Sequence, residues 1–185
     1  MNIVRYGFLT WAPTYFFEVQ KANITVSTYK ALVFLVAGAI GALAVGWMTD
    51  KWFKSRRTLI GLILAIILAI ALVLFANTES WVLGLVWLSV IGFTTFGPHS
   101  LIVSQLPMVF GNRKNTASIT GFIDGIGYIG AALTGVISGL LVDAFNWNYA
   151  FYFWVVGAVL SGVFIFLSHR SQHVKEDANP DENSP

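Results

Sequence analysis

Leu59-Ile-Gly-Leu-Ile-Leu-Ala-Ile-Ile-Leu-Ala-Ile-Ala-Leu-Val-Leu-Phe-Ala76 is a run without a single charged, amide or hydroxyl side chain. A stretch of this length and character matches the roughly 20 residues a helix needs to cross the hydrocarbon of a bilayer. Inside lipid no water is available to the backbone, so every N–H and C=O must be satisfied within the segment, and the segment is a helix. Upstream, Met1–Phe17 and Ala31–Met48 read the same way. Downstream, so do Trp81–Val103, Ile119–Val142 and Tyr149–Leu167. No stretch alternates polar and apolar residues as a membrane β-barrel strand does.

Composition agrees. The chain of 185 residues is 56% hydrophobic and 11% charged, with a mean hydropathy of +0.71. Soluble domains carry roughly 25% charge. The sequence therefore predicts an all-α integral membrane protein, a six-transmembrane-helix bundle over residues 1–169. The polar tail 170–185, with Glu176, Asp177, Asp181, Glu182 and two prolines, has too little apolar area to pack and is expected to be disordered.

Several function classes are excluded. Zero cysteines remove disulfides, thiolate metal sites and a cysteine nucleophile. His99, His169 and His173 are scattered, so no metal centre is expected. A net charge of +2 does not suggest a nucleic-acid partner. Nothing pairs a nucleophile with a base, and no Gly-x4-Gly-Lys-Ser/Thr loop is present, so neither an enzyme nor an ATP-driven pump is expected and no cofactor is implied.

The basic residues orient the bundle. Lys51, Lys54, Arg56, Arg57, Arg113, Lys114, Arg170 and Lys175 lie on one side, against Lys21 and Lys30 on the other; Arg5 completes the total of 11. By the positive-inside bias both termini face the cytoplasm, in what the compact loops suggest is a plasma (inner) membrane. The first span, about 25 Å long at 1.5 Å per residue, is short for a core of about 30 Å, which suggests that the numbering begins inside a longer helix. Trp11, Trp81, Trp147 and Tyr149 are expected to anchor the outer interface, and Trp47 and Trp52 the inner one.

Four side chains inside the apolar segments can carry function. A guanidinium within a membrane is costly and commonly functional, so Arg5 either binds an anion or snorkels to headgroups. Asp124, flanked by glycines, must face protein or water; it can pair with a cation, carry a proton, tune substrate choice or serve as a structural hydrogen-bonding group. His99 follows Gly97-Pro98, where proline frees a carbonyl, and either titrates near neutral pH or is a satisfied buried imidazole. Tyr128 offers a phenol to a phosphate oxygen or simply packs between helices. Gln105 is a weaker candidate. Gly121-xxx-Gly125, Gly135-xxx-Gly139, Gly38-xxx-Ala42 and Ala42-xxx-Gly46 are small-residue spacings that allow close helix contact.

The segment Gly46-Trp-Met-Thr-Asp50-Lys51-Trp-Phe-Lys54-Ser-Arg56-Arg57 resembles the signature cytoplasmic loop of the major facilitator superfamily, without the usual glycine before its basic pair. Arg5-Tyr6-Gly7-Phe8-Leu9-Thr10-Trp11-Ala12-Pro13-Thr14-Tyr15 resembles the seventh helix of its organophosphate:phosphate antiporters. Gly92-Phe93-Thr94-Thr95-Phe96-Gly97-Pro98 resembles their tenth, and Gly121-Phe-Ile-Asp124-Gly125-Ile-Gly127-Tyr128-Ile-Gly130 their eleventh. The resemblance implies the C-terminal half of a twelve-helix transporter, with an N-terminal half or a second chain facing it. It implies exchange of a small organophosphate, such as glycerol-3-phosphate or a sugar phosphate, for inorganic phosphate by alternating access. Arg5 would hold phosphate; Tyr128, Asp124 and His99 would shape the cavity. Gly46, Asp50, Arg56 and Arg57 would form a conformational latch, Gly46 by letting a neighbouring helix approach. A proton-coupled symporter of an organic anion such as a sugar acid, and a non-transporting fragment or membrane sensor, are the alternatives.

Overall fold

The computed structural model describes residues 1–51, 57–78, 80–110 and 116–178, with side chains described for 1–51, 59–78, 80–100 and 116–167. Among these residues the chain forms α1 (Asn2–Glu18), α2 (Ile24–Lys51), α3 (Arg57–Ala76), α4 (Trp81–Phe110), α5 (Thr116–Ala144) and α6 (Trp147–Ala178), and no strand. Each helix overlaps one of the six expected spans. Five of the helices, α2 to α6, are long and apolar enough to cross a membrane. The sixth, α1, has 17 residues and is the shortest.

Three boundaries differ from expectation by more than three residues, one being the end of α4, which runs on to Phe110 past Val103. Helix α2 starts at Ile24 rather than Ala31, because Asn23 accepts a hydrogen bond from the Thr25 N–H through its side-chain oxygen, 3.4 Å away, and relieves one of the orphan donors of the first turn. Helix α6 continues to Ala178, into the tail expected to be disordered. A helix already nucleated in lipid extends at little cost through Gln172, Lys175, Glu176 and Ala178, all good helix formers. Residues 179–185 lie outside the described residues.

Helix α1 is central, touching α2, α4, α5 and α6, while α2 packs most extensively on α4, and α3 on α6 and α4. Its buried stripe Val4, Phe8, Ala12, Tyr15 recurs every three to four residues, one helical face. Phe8 stands at the middle of an aromatic core, 4.9 Å from the Trp154 ring, 5.4 Å from Phe34 and 5.5 Å from Phe75. Trp154 is fully buried and donates its Nε1–H to Ser138 Oγ of α5 at 2.9 Å, so the indole is satisfied where water is absent. Gly7 leaves the space for that indole: a Cβ there would stand 2.5 Å from Trp154 Cε2.

On α2 the buried positions are Ser27, Lys30, Phe34, Gly38, Gly41, Val45 and Thr49, a single seam facing α4. A Cβ on Gly41 would stand 2.5 Å from the Phe93 carbonyl oxygen, and one on Gly92 would strike that of Phe34. The α2 and α4 backbones therefore touch.

Candidate functional site

Arg5 lies on α1 between the buried Val4 and the Tyr6 that borders the α5 side. Its guanidinium carbon sits 4.5 Å from the centroid of the Phe96 ring of α4 and 5.5 Å from that of Tyr6. Ring faces are electron-rich and stabilise a cation without neutralising it. Phe96 is itself held from α2: its ring occupies the space over Gly38, where a Cβ would meet Cδ2 at 2.6 Å, and packs edge-on to Phe34 at 5.6 Å. Two α2 residues thus fix the ring that supports the arginine. Arg5 Nε is buried and makes no hydrogen bond.

Around Arg5 stand the other three predicted site residues. Tyr6 and Tyr128 tilt against each other at 60° with centroids 5.8 Å apart. Tyr6 lies within electrostatic range of both Arg5 and Asp124, and His99 within range of the same two groups. Arg5 from α1, His99 from α4, and Asp124 and Tyr128 from α5 therefore form one neighbourhood, although 119 positions separate Arg5 from Asp124 in the chain. Chemically it is a cation on an aromatic platform, flanked by a phenol pair, a carboxylate and an imidazole. Such a set can bind an anion and grade its protonation state. Among the described residues no group of three His, Asp or Glu side chains could hold a metal ion.

The helices are locally adapted here. Pro98 lies inside α4 and supplies no N–H to the carbonyl one turn earlier. Thr94, Thr95 and Ser100 turn their hydroxyls back onto carbonyls of Val90, Ile91 and Gly97 at 2.6–2.7 Å for the closest bonds. That keeps polar groups of a membrane helix paired within it.

Sequence reasoning missed Tyr6, Phe96 and Asn2. Tyr6 and Phe96 were present in the quoted segments, but only packing shows that one ring carries the guanidinium and the other joins it to Tyr128. Asn2 gave no signal beyond its spacing from Arg5.

The latch segment needs correction. Gly46 and Asp50 are not in a loop: both belong to the last two turns of α2, which runs on to Lys51. Among the described residues, a Cβ at Gly46 would meet nothing within 4 Å. The close approach is at Gly38 and Gly41, on the buried seam; Gly46 lies one position off it. Thr49 bonds back to Val45 O at 2.7 Å and Gly46 O at 2.8 Å, and helps carry the helix through. Arg56 and the Arg57 side chain lie outside the described residues, as does the side chain of Gln105. On α5, Gly121, Gly125 and Gly135 likewise meet none of the described residues, whereas Gly139 receives the Trp11 ring.

Two of the expected interface anchors are instead internal ties. Trp11 donates to the Gly135 carbonyl at 3.3 Å, and Trp147, 9% exposed, donates to Glu18 at 3.2 Å. Trp81, Tyr149 and Trp47 are about half exposed, as an anchor requires.

Stacked apolar helices bordering a polar, charged neighbourhood are the architecture of a multi-pass integral membrane protein. The chain belongs to the Major Facilitator Superfamily, whose family model matches residues 1–134. It is 34% identical over 178 residues to a Bacillus subtilis protein named glycerol-3-phosphate transporter, which covers 92% of this chain and 40% of that protein. It is 28% identical over 170 residues to the phosphoglycerate transporter protein of Salmonella typhimurium, with 91% of this chain and 36% of that protein covered. It is also 28% identical over 163 residues to an Escherichia coli protein named membrane sensor protein UhpC, covering 87% of this chain and 36% of that one. The chain thus spans about two fifths of the length of the curated relatives it matches.

Proposed function

We propose that this six-helix domain forms one wall of the substrate cavity of a secondary transporter for small organophosphates, exchanging a compound such as glycerol-3-phosphate or a sugar phosphate for inorganic phosphate by alternating access. The observation that carries it is Arg5: a guanidinium on the Phe96 face with a buried Nε that has no partner. A phosphate dianion supplies what such a group lacks, since the planar fork of arginine donors matches phosphate oxygens in pairs. Tyr128 and Tyr6 offer hydroxyls at its edge, and Asp124 and His99 set the local charge. The names of relatives from Bacillus and Salmonella support the substrate class. The second wall is assigned to another six-helix unit, an N-terminal half or a second chain, because substrate sites of this superfamily lie at midplane between two halves. Both termini are assigned to the cytoplasmic side of the plasma (inner) membrane, and Asp50 with Arg56 and Arg57 to the closing of that side.

The test is phosphate exchange by the full-length protein in proteoliposomes loaded with inorganic phosphate. Arg5→Lys keeps the charge but loses the planar fork, and exchange is expected to fall at least 10-fold at unchanged protein level, about 1.4 kcal/mol or more. Undiminished exchange would return Arg5 to a structural cation. Uptake of a sugar acid driven by protons, with no phosphate exchange, would favour the symporter reading, in which Asp124 or His99 carries the proton. One relative is named a sensor, so ligand binding without any flux is the outcome that would favour a receptor.

A further inference from the structure

We propose that Asn2 is a second ligand-binding side chain of the Arg5 site, reading a hydroxyl on the carbon skeleton of a phosphorylated polyol; this rests on the phosphate reading of Arg5. Among the described residues three buried polar side-chain atoms have no hydrogen-bond partner, and two of them are Asn2 Oδ1 and Arg5 Nε. The two residues are three apart on α1, which places them on one helix face with Cβ atoms about 5–6 Å apart. One orphan is an acceptor and the other a donor. Leaving either buried and unpaired is costly, and side-chain groups in that condition call for an explanation such as a missing ligand.

The amide packs against α5. Its Nδ2 lies directly against Gly127 of α5, so close that a Cβ at that position would collide with it. Gly127 adjoins Tyr128, whose ring meets Tyr6. With the nitrogen end packed on α5 and the oxygen end unpaired, Oδ1 is the atom a ligand would meet. A phosphate oxygen answers Arg5 Nε; a hydroxyl near the phosphate ester answers Asn2 Oδ1. Inorganic phosphate needs only the first, whereas a hydroxylated phosphate ester uses both. Asn2 therefore separates the two ligands of the exchange.

The experiment measures binding of glycerol-3-phosphate and of inorganic phosphate to the full-length protein, unaltered and as Asn2→Ala and Gly127→Ala. Asn2→Ala is expected to weaken glycerol-3-phosphate roughly 3- to 10-fold, the worth of one hydrogen bond, and inorganic phosphate less than 2-fold. Gly127→Ala keeps the amide but displaces it, and is expected to give the same selective loss; it stands as an independent variant if Asn2→Ala does not fold. Equal losses for both ligands, or no loss for either, would overturn the role of Asn2 while leaving the phosphate site intact. Failure of the unaltered protein to bind either ligand would overturn the phosphate reading itself, and this inference with it.

Discussion

At the scale of the residue, Trp154 shows how the core and the site are coupled. Its indole fills the notch at Gly7, bonds Ser138, and presses on Phe8, three residues along α1 from Arg5. A methyl group at Gly7 would force the indole off its seat, since ring atoms cannot yield as a flexible chain end does. Gly7→Ala is expected to destabilise the protein by about 1–3 kcal/mol, the usual cost of overpacking. Ser138→Ala, which leaves the buried Nε1–H unpaired without adding volume, should cost about 1 kcal/mol. Thermal unfolding in detergent measures both, and a Gly7→Ala protein as stable as the parent would disprove the notch. Arg5 is legible in the sequence as an out-of-place charge. That its cation rests on Phe96 is not, because the two are 91 positions apart and meet only through Gly38 and Phe34 of a third helix.

At the scale of the element, the α2–α4 seam separates glycines that matter from those that do not. Gly41 stands against the Phe93 backbone, and Gly46 against none of the described residues. Gly41→Ala must part the two helices or shift one along the other, so it should lower the unfolding temperature and reduce any activity that depends on Phe96. Gly46→Ala should be neutral or stabilising by up to about 1 kcal/mol, because alanine is the better helix former and no described residue opposes it. The opposite ranking in a stability assay would mean that α2 is rotated from the register described. Sequence spacing pointed to Gly46 through its place in a known motif, and to Gly38 through its small-residue interval. Spacing alone cannot say which side of a uniformly apolar helix faces protein, since lipid-facing and protein-facing residues are alike in hydropathy.

At the scale of the whole molecule, the end of the bundle that carries the α1–α2 connection is tied by polar side chains. Lys30, 4% exposed, donates from Nζ to Gln20 Oε1 at 2.7 Å and lies 5.1 Å from the Phe16 ring and 5.4 Å from that of Trp81. This joins α1, the turn after it, α2 and α4. The turn holds Lys21 at φ 51, the left-handed region, which points to a constrained connection. On the other flank Glu18 joins α1 to Trp147 of α6. Removing the ammonium should loosen this end. Because the chain has no cysteine, a single Ser27→Cys is a clean reporter. Ser27 is fully buried, so its thiol should resist an impermeant maleimide in the otherwise unaltered chain and become reactive at least several-fold faster with Lys30→Ala. Equal labelling rates would show that Lys30 does not hold the end closed.

Composition, apolar run lengths and the lack of polar–apolar alternation by themselves determined that this protein is a bundle of membrane helices, because a chain in lipid pairs its backbone only in helices or in a closed barrel of alternating strands. The order of motifs determined its family, and the rarity of charge within the spans picked out Arg5, Asp124 and His99. What only the tertiary structure decided is which faces meet. It brought four residues from three helices into one neighbourhood, placed close glycine contacts at Gly38, Gly41 and Gly92, turned Trp11 and Trp147 from interface anchors into internal hydrogen-bond donors, and left Asn2 Oδ1 and Arg5 Nε buried without a hydrogen-bond partner. The reason is physical: hydropathy selects the solvent of a helix, but in a membrane it does not select its rotation, which is set by the steric fit of glycines against rings and by the need of each buried donor to find an acceptor.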